Sequence, residues 1–175
     1  MRIRELVDTD LERITALNNA AVPAVPLTDV DEMRGLVARS DHAFAAVDDE
    51  SPDLVAGFVI GFEPGRDYAS ENYVYFDARS RDFTYVDRIV VDAADRGRGV
   101  GRALYREVFD RARAADRREV TCEVNVEPPN PSSLAFHAAR GFVEVGRQST
   151  KGGTVVVALL AARVGDGASD ALPLA

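Results

Sequence analysis

The spacing of hydrophobic and polar positions changes period several times along the chain. Residues 2–6 (RIREL) predict a short strand. Asp8 or Thr9 then caps a helix whose apolar positions Leu11, Ile14 and Leu17 recur at helical intervals. Pro23 and Pro26 predict that this helix stops near Ala20. A second helix is expected from Thr28 or Asp29, with Met33, Leu36 and Val37 on its inner side. Residues 42–47 (HAFAAV) and 54–62 (LVAGFVIGF) read as strands joined by the turn DDESPD. Between Gly65 and Arg81, Tyr68, Tyr73, Tyr75 and Phe76 are scattered among polar residues, and the stretch reads as a long loop, a feature that is often functional.

The second half has clearer signals. FTYVDRIVVD (83–92) is the strongest strand pattern, and the helix 101–115 sets Leu104, Val108 and Ala112 on one face. EVTCEV (119–124) is another strand. Pro131 suits the first turn of a helix over 131–140, which Gly141 ends. FVEVGRQ (142–148) and TVVVALL (154–160) are strands joined by KGG. This order predicts one mixed α/β (α+β) domain over 1–162, a sheet of local hairpins with one strand–helix–strand crossover, followed by a flexible tail at 163–175.

Composition narrows the function classes. The 175 residues are 29% charged and 46% hydrophobic, which predicts a soluble domain with a real core. No apolar run approaches the roughly 20 residues of a membrane helix, and MRIRELVDTD turns polar too early for a signal peptide. With Cys122 as the sole cysteine no internal disulfide forms, so a cytoplasmic setting is expected. A net charge of −8 argues against nucleic acid as partner and favours a small cationic substrate. His42, His137 and Cys122 lack zinc-site spacing, and no metal is expected. A homodimer is compatible with the chain.

The most informative segment is Arg96-Gly97-Arg98-Gly99-Val100-Gly101, between a hydrophobic strand and a helix start. Alternating glycines let a backbone approach a ligand closely. The first amides of a helix lack internal partners and its dipole favours an anion there, so phosphate is the expected guest. Arg96, Arg98 and Arg102 add cations able to fork onto phosphate oxygens. A Walker loop needs Gly-Lys-Ser/Thr where this chain has Gly-Arg-Ala. In the dinucleotide fingerprint the third glycine comes one residue later. Turn and cap glycines without a ligand are the plain alternative.

The spacing of Val91, Arg96, Gly97, Gly99, Gly101 and Leu104 resembles the acetyl-CoA signature of the GNAT superfamily of N-acetyltransferases. Asn130-Pro131-Ser132-Ser133-Leu134-Ala135-Phe136-His137-Ala138-Ala139-Arg140-Gly141-Phe142 resembles that family's second motif. The likeness covers roughly Arg2 to Leu160. It implies a six- to seven-stranded, mostly antiparallel sheet whose central parallel pair splays, with helices on its faces. It further implies that acetyl-CoA is the co-substrate, its pyrophosphate on Arg96 to Arg102. The backbone of Ile89, Val90 and Val91 would flank the pantetheine arm, with Asn130 and Ser133 nearby.

The implied reaction moves an acetyl group from a thioester to a primary amine of a small molecule, peptide or protein N-terminus. The amine must shed a proton and the thiolate gains one. The family often has tyrosine as the thiol's acid where this chain has His137; an imidazole can also serve the sulfur, or simply pack. Tyr105 is a weaker candidate. Asp87 and Glu123, carboxylates in otherwise apolar strands, are the candidate bases; the alternative is a solvated face or a pair with Arg88. Asn125 could orient a water, and Cys122 reads as packing. Asn18, Asn19, Glu71, Tyr73 and Tyr75 are candidates for shaping the acceptor pocket. The competing function is a silent acyl-CoA-binding module of the same fold.

Overall fold

A computed structural model of the chain describes residues 1–51 and 54–165. Strand β1 (Arg2–Glu5) leads to helices α1 (Leu11–Ala20) and α2 (Val30–Arg39), then to strands β2 (His42–Val47) and β3 (Val55–Phe62). Helix α3 (Glu71–Arg79) precedes β4 (Phe83–Val91), α4 (Val100–Ala114) and β5 (Glu119–Glu127). Helix α5 (Pro131–Ala138), β6 (Val143–Thr150) and β7 (Val155–Arg163) complete the order. The seven strands form one sheet in the order β1-β2-β3-β4-β5-β7-β6. Among the described residues only the β4–β5 pair is parallel, and α4 is its crossover. No helix among the described residues is long and apolar enough to cross a membrane.

β4 and β5 are central because their apolar runs have both faces to bury. One core holds Ile14, Met33, Phe58, Phe62, Tyr73 and Phe83 against α1, α2 and α3. The other holds Phe44, Val59, Leu104, Val108, Val120 and Leu160 under α4. Asp29 starts α2 as a capping box: its carboxylate accepts the Glu32 amide (2.8 Å) and Glu32 accepts the Asp29 amide (3.1 Å).

Three expectations need correction. Gly65 to Arg81 is not one loop, since α3 occupies its second half. The Ser70 hydroxyl accepts the Tyr73 amide (3.4 Å), and Tyr73 and Phe76, three apart, are both buried. Exposed Val74 and partly buried Tyr75 break the stripe and hide the period in sequence. Second, β5 runs to Glu127 rather than 124, so Asn125 lies inside the strand, and its side-chain amide donates to the Pro23 carbonyl (3.0 Å). Third, β7 continues to Arg163, and the Val164 amide donates to the Arg118 carbonyl (2.8 Å). The rest of the expected tail, 166–175, lies outside the described residues.

The feature that makes a site is where β4 and β5 part. Their register runs from Phe83 opposite Glu119 to Val86 opposite Cys122 and stops there, although both strands continue. On its other edge β4 carries a bulge: Val86 faces Gly61 and Arg88 faces Ile60, leaving Asp87 unmatched. The extra residue reverses the alternation. Phe83 and Tyr85 face the first core, and so does Val90, while Ile89 and Val91 turn to the second. The sheet therefore opens just where Asp87 and Glu123 follow the last matched pair.

Candidate active site

The glycine loop follows directly from β4. Asp92 accepts the Ala94 amide (2.9 Å) and an ion pair from Arg13, which ties the turn to α1. Gly97 and Gly99 have φ of +79° and +83°, the left-handed region that a β-carbon disfavours. Gly99 is the N-cap of α4 and no side chain caps that end, so the first amides of the helix remain available to a ligand. A β-carbon on Gly101 would stand 2.9 Å from the Phe136 ring of α5, so glycine there leaves room for that ring against the start of α4. Arg98 turns back to Asp95 (2.5 Å), while Arg96 and Arg102 are exposed.

A cleft of about 870 Å³ runs from this loop past Ile89, Val90 and Val91 to Asn130, Ser133 and Cys122. A long molecule with an anionic middle fits it: glycine backbone, the positive helix end and guanidiniums lie at one end, apolar strand edges at the other. Arg140, which the sequence reading did not single out, also lines it. Its guanidinium lies 3.4 Å over the Phe136 ring and donates to the Phe136 carbonyl (2.6 Å).

α5 walls the cleft. The Asn130 side chain accepts the Ser133 amide (3.3 Å), which caps the helix above Pro131. His137 is buried, with Nδ1 2.7 Å from the Ser133 carbonyl and Nε2 2.7 Å from the Tyr105 hydroxyl. A carbonyl only accepts, so Nδ1 carries the proton and Nε2 accepts from Tyr105. Burial lowers the His137 pKa against the Ser133 contact, with Arg140 lowering it further, so the neutral ring is the resident form. Neutral His137 thus has both nitrogens engaged. Tyr105→Phe is expected to strip Nε2 of its donor and cost about 1–3 kcal/mol of stability. Denaturant titration measures this, and an unchanged midpoint means that the bond contributes nothing. Cys122 is buried beside Tyr105, and burial pushes its thiol well up, so it stays protonated and unreactive.

Asp87 and Glu123 face each other's surroundings across the splay. Tyr68 donates to Asp87 (2.6 Å) and Arg88 pairs with its other oxygen (3.0 Å). Tyr85 donates to Glu123 (2.8 Å). Burial pushes the Glu123 carboxyl up to about 8, the negative Asp87 adds to this, and bonds from Tyr85 and Asn72 with the Arg88 charge oppose it. The large cleft ends on these two carboxylates, and they also line a second cavity of about 280 Å³ on the α1–α3 side. Tyr68, stacked on Phe62 at 4.1 Å between ring centroids, walls that cavity with Pro26, Asn72 and Arg88.

The fold thus gathers Ile89 to Val91, the loop 96–102, Asn130, Ser133, His137, Asp87 and Glu123 around one continuous passage. Other candidates stand apart. Asn18 and Asn19 brace the α1–α2 connection from behind: Asn18 donates to the Pro26 carbonyl (2.8 Å), and Asn19 both accepts from and donates to the Thr28 backbone. The Tyr73 and Tyr75 hydroxyls donate to the Glu63 and Val145 carbonyls, and only Glu71 of that group lines the second cavity. Tyr68, Tyr85 and Arg88 were missed as site residues. Only the adjacency of Arg88 to Asp87 hinted at a role.

Comparison with known proteins agrees with this architecture. The model of the acetyltransferase (GNAT) family matches residues 9–142. Phosphinothricin N-acetyltransferase of Alcaligenes faecalis is 30% identical over 154 residues, 82% of this chain and 71% of that protein. L-2,4-diaminobutyric acid acetyltransferase of Nocardia farcinica is 34% identical over 83 residues; the match spans 47% of this chain and 35% of that relative's length. Among solved structures, Ard1 of Thermoplasma volcanium superposes with a TM-score of 0.74 at 18% identity, over 94% of this chain and 98% of that one. The acetyl-CoA complex of yncA from Salmonella typhimurium gives 0.68 at 18% identity, over 100% of this chain and 98% of that one. The structural likenesses concern the fold, and the sequence matches add the lineage: this chain belongs to the acetyltransferase (GNAT) family.

Proposed function

We propose that the protein transfers an acetyl group from acetyl-CoA to the primary amine of an acceptor. The observation that carries this is that Asp87 and Glu123, just past the β4–β5 splay, line both cavities. The residues of the large cleft suit the co-substrate. The loop from Arg96 to Arg102 holds the pyrophosphate, Ile89, Val90 and Val91 offer strand backbone to the arm, and Asn130 and Ser133 flank it. When bound, acetyl-CoA supplies an activated acetyl thioester.

The chain's own residues do the rest. Asp87, held by Arg88 and Tyr68, attracts the acceptor's ammonium group. Glu123 takes the proton that the amine must lose, either directly or through water. A carboxyl whose pKa is near 8 is better matched to that task than an ordinary one. His137 lines the cleft with its nitrogens engaged by the Ser133 carbonyl and the Tyr105 hydroxyl, so its role on the thiol side is to hold that wall in position. His137→Phe is expected to lower kcat while acetyl-CoA binding persists. A variant with full kcat assigns His137 to packing.

The decisive experiment incubates the protein with acetyl-CoA and a panel of amines, reading free thiol and acetylated product. Turnover that depends on both partners supports the proposal. Acetyl-CoA binding by calorimetry with no turnover on any amine supports a silent acyl-CoA-binding module instead.

A further inference from the structure

Arg88 has more hydrogen-bonding capacity than the protein uses. It is buried, 8% exposed, on the stretch of β4 just past the splay. Nε donates to Asp87 (3.0 Å), and Nη1 donates to the Asn18 side chain (2.8 Å) and the Pro26 carbonyl (3.3 Å). Nη2 has no partner among the described residues, yet it is not among the buried polar atoms sealed off without one. Arg88 lines the second cavity, so the side chain is fixed by three bonds with one end still able to donate there. The Asn18 carbonyl oxygen and the Pro26 carbonyl hold that fork in place from α1 and the α1–α2 connection.

The charges of this cavity are therefore laid out in two zones. Asp87 and Glu123 stand at the splay and line both cavities. Beside the carboxylates, Arg88, paired with Asp87 through Nε, and the exposed Lys151 are its cations. Glu71 also lines it, but one of its carboxylate oxygens is committed to the Lys151 amide (3.1 Å). A bare alkylamine would suit the carboxylates and would cover the Arg88 Nη2 group without replacing its water, which is unfavourable. An acceptor that carries an anion close to its amine would satisfy both zones, and a guanidinium end is the donor best shaped for a carboxylate or similar oxyanion. At about 280 Å³ the cavity is at the small end of ligand sites.

We propose that the acceptor is a small zwitterion, an amino acid or an amino acid analogue, whose amine lies at Asp87 and Glu123 and whose carboxylate or equivalent oxyanion is bound by Arg88 Nη2, with Lys151 assisting. This rests on the acetyltransferase reading above and narrows its acceptor. Arg88 is then a specificity-determining residue as well as the partner of Asp87.

The test uses matched pairs of acceptors, each a small diamino or amino acid and its uncharged carboxamide, with acetyl-CoA and the wild-type protein. The expected result is a kcat/KM about ten- to a hundred-fold higher for the acid than for its amide, as loss of a charge-assisted bond implies. Arg88→Gln is expected to bring that ratio close to one. A role confined to holding Asp87 lowers both acceptors alike and leaves the ratio unchanged. Lys151→Gln, an exposed substitution, reduces the ratio by a smaller factor. Amides acetylated as well as acids by the wild type overturn the inference while the transferase reading stands, and this comparison needs no variant to fold. Acetylation of no amine of either kind overturns the transferase reading itself, and this inference with it.

Discussion

Glu123→Gln is expected to lower kcat by about 10²–10⁴-fold at neutral pH, the range a positioned proton acceptor contributes. Glutamine keeps the size and the ability to accept from Tyr85, whose hydroxyl donates to Glu123 at 2.8 Å, but takes no proton. The pH profile gives a sharper signature. The active form of a base is the ionised one, and burial pushes the Glu123 carboxyl up to about 8. Wild-type kcat/KM should therefore rise with pH through about 8, and fall as the group protonates below it. In the glutamine variant that step should vanish, leaving only the rise set by the acceptor's own free amine at higher pH. A variant that keeps the wild-type profile shifts the role to Asp87 or to water, and Asp87→Asn then becomes the decisive comparison.

The same residue makes a stability prediction with a definite sign. A carboxyl whose folded pKa is raised favours the protonated folded state. Its contribution is fully present below the unfolded value of 4.5 and is lost as pH rises through about 8. The difference in unfolding free energy between wild type and Glu123→Gln should thus turn against the wild type across that interval. Denaturant titrations at the two ends measure it, and a difference that is constant with pH removes the shifted titration.

Gly99→Glu is expected to abolish acetyl-CoA and CoA binding. Gly99 has φ of +83° and forms the uncapped start of α4. Any L side chain there is strained by roughly 1–2 kcal/mol. Glutamate adds a negative charge at the helix end that should receive the pyrophosphate, so it competes with the ligand for the same amides. Gly99→Ala separates the two effects, since it brings the strain without the charge and should weaken binding less. Calorimetry with CoA reads both. An unchanged affinity in the glutamate variant means that the loop does not hold the cofactor.

Much of this molecule is set by local sequence. The strand over 83–91 is evident from its run of aromatic and β-branched residues, and α4 from the regular set of positions it buries along its length. The glycine loop was legible for a related reason. Backbone that must reach positive φ beside a helix start needs particular residues at fixed offsets, and these survive as a motif. Helix α3 was not legible, because Tyr73 and Phe76 fill a core supplied by β3 and β4 while Val74 between them is exposed and Tyr75 is only partly buried.

The second cavity and its charged lining depended on tertiary contacts altogether. Tyr68 bonds Asp87 across 19 positions, Tyr85 bonds Glu123 across 38, and Asn18 holds Arg88 across 70. No period or spacing encodes such pairs, since each arises only when separate elements pack. The sequence by itself determined the lineage, the order of elements apart from α3, and the glycine loop at the start of α4, all built from neighbouring residues. Only the tertiary structure decided that β4 bulges at Asp87 and parts from β5 after Val86. That opening brings two carboxylates from different strands to the same pair of cavities, where burial raises the pKa of Glu123 and Arg88 joins the lining of the second.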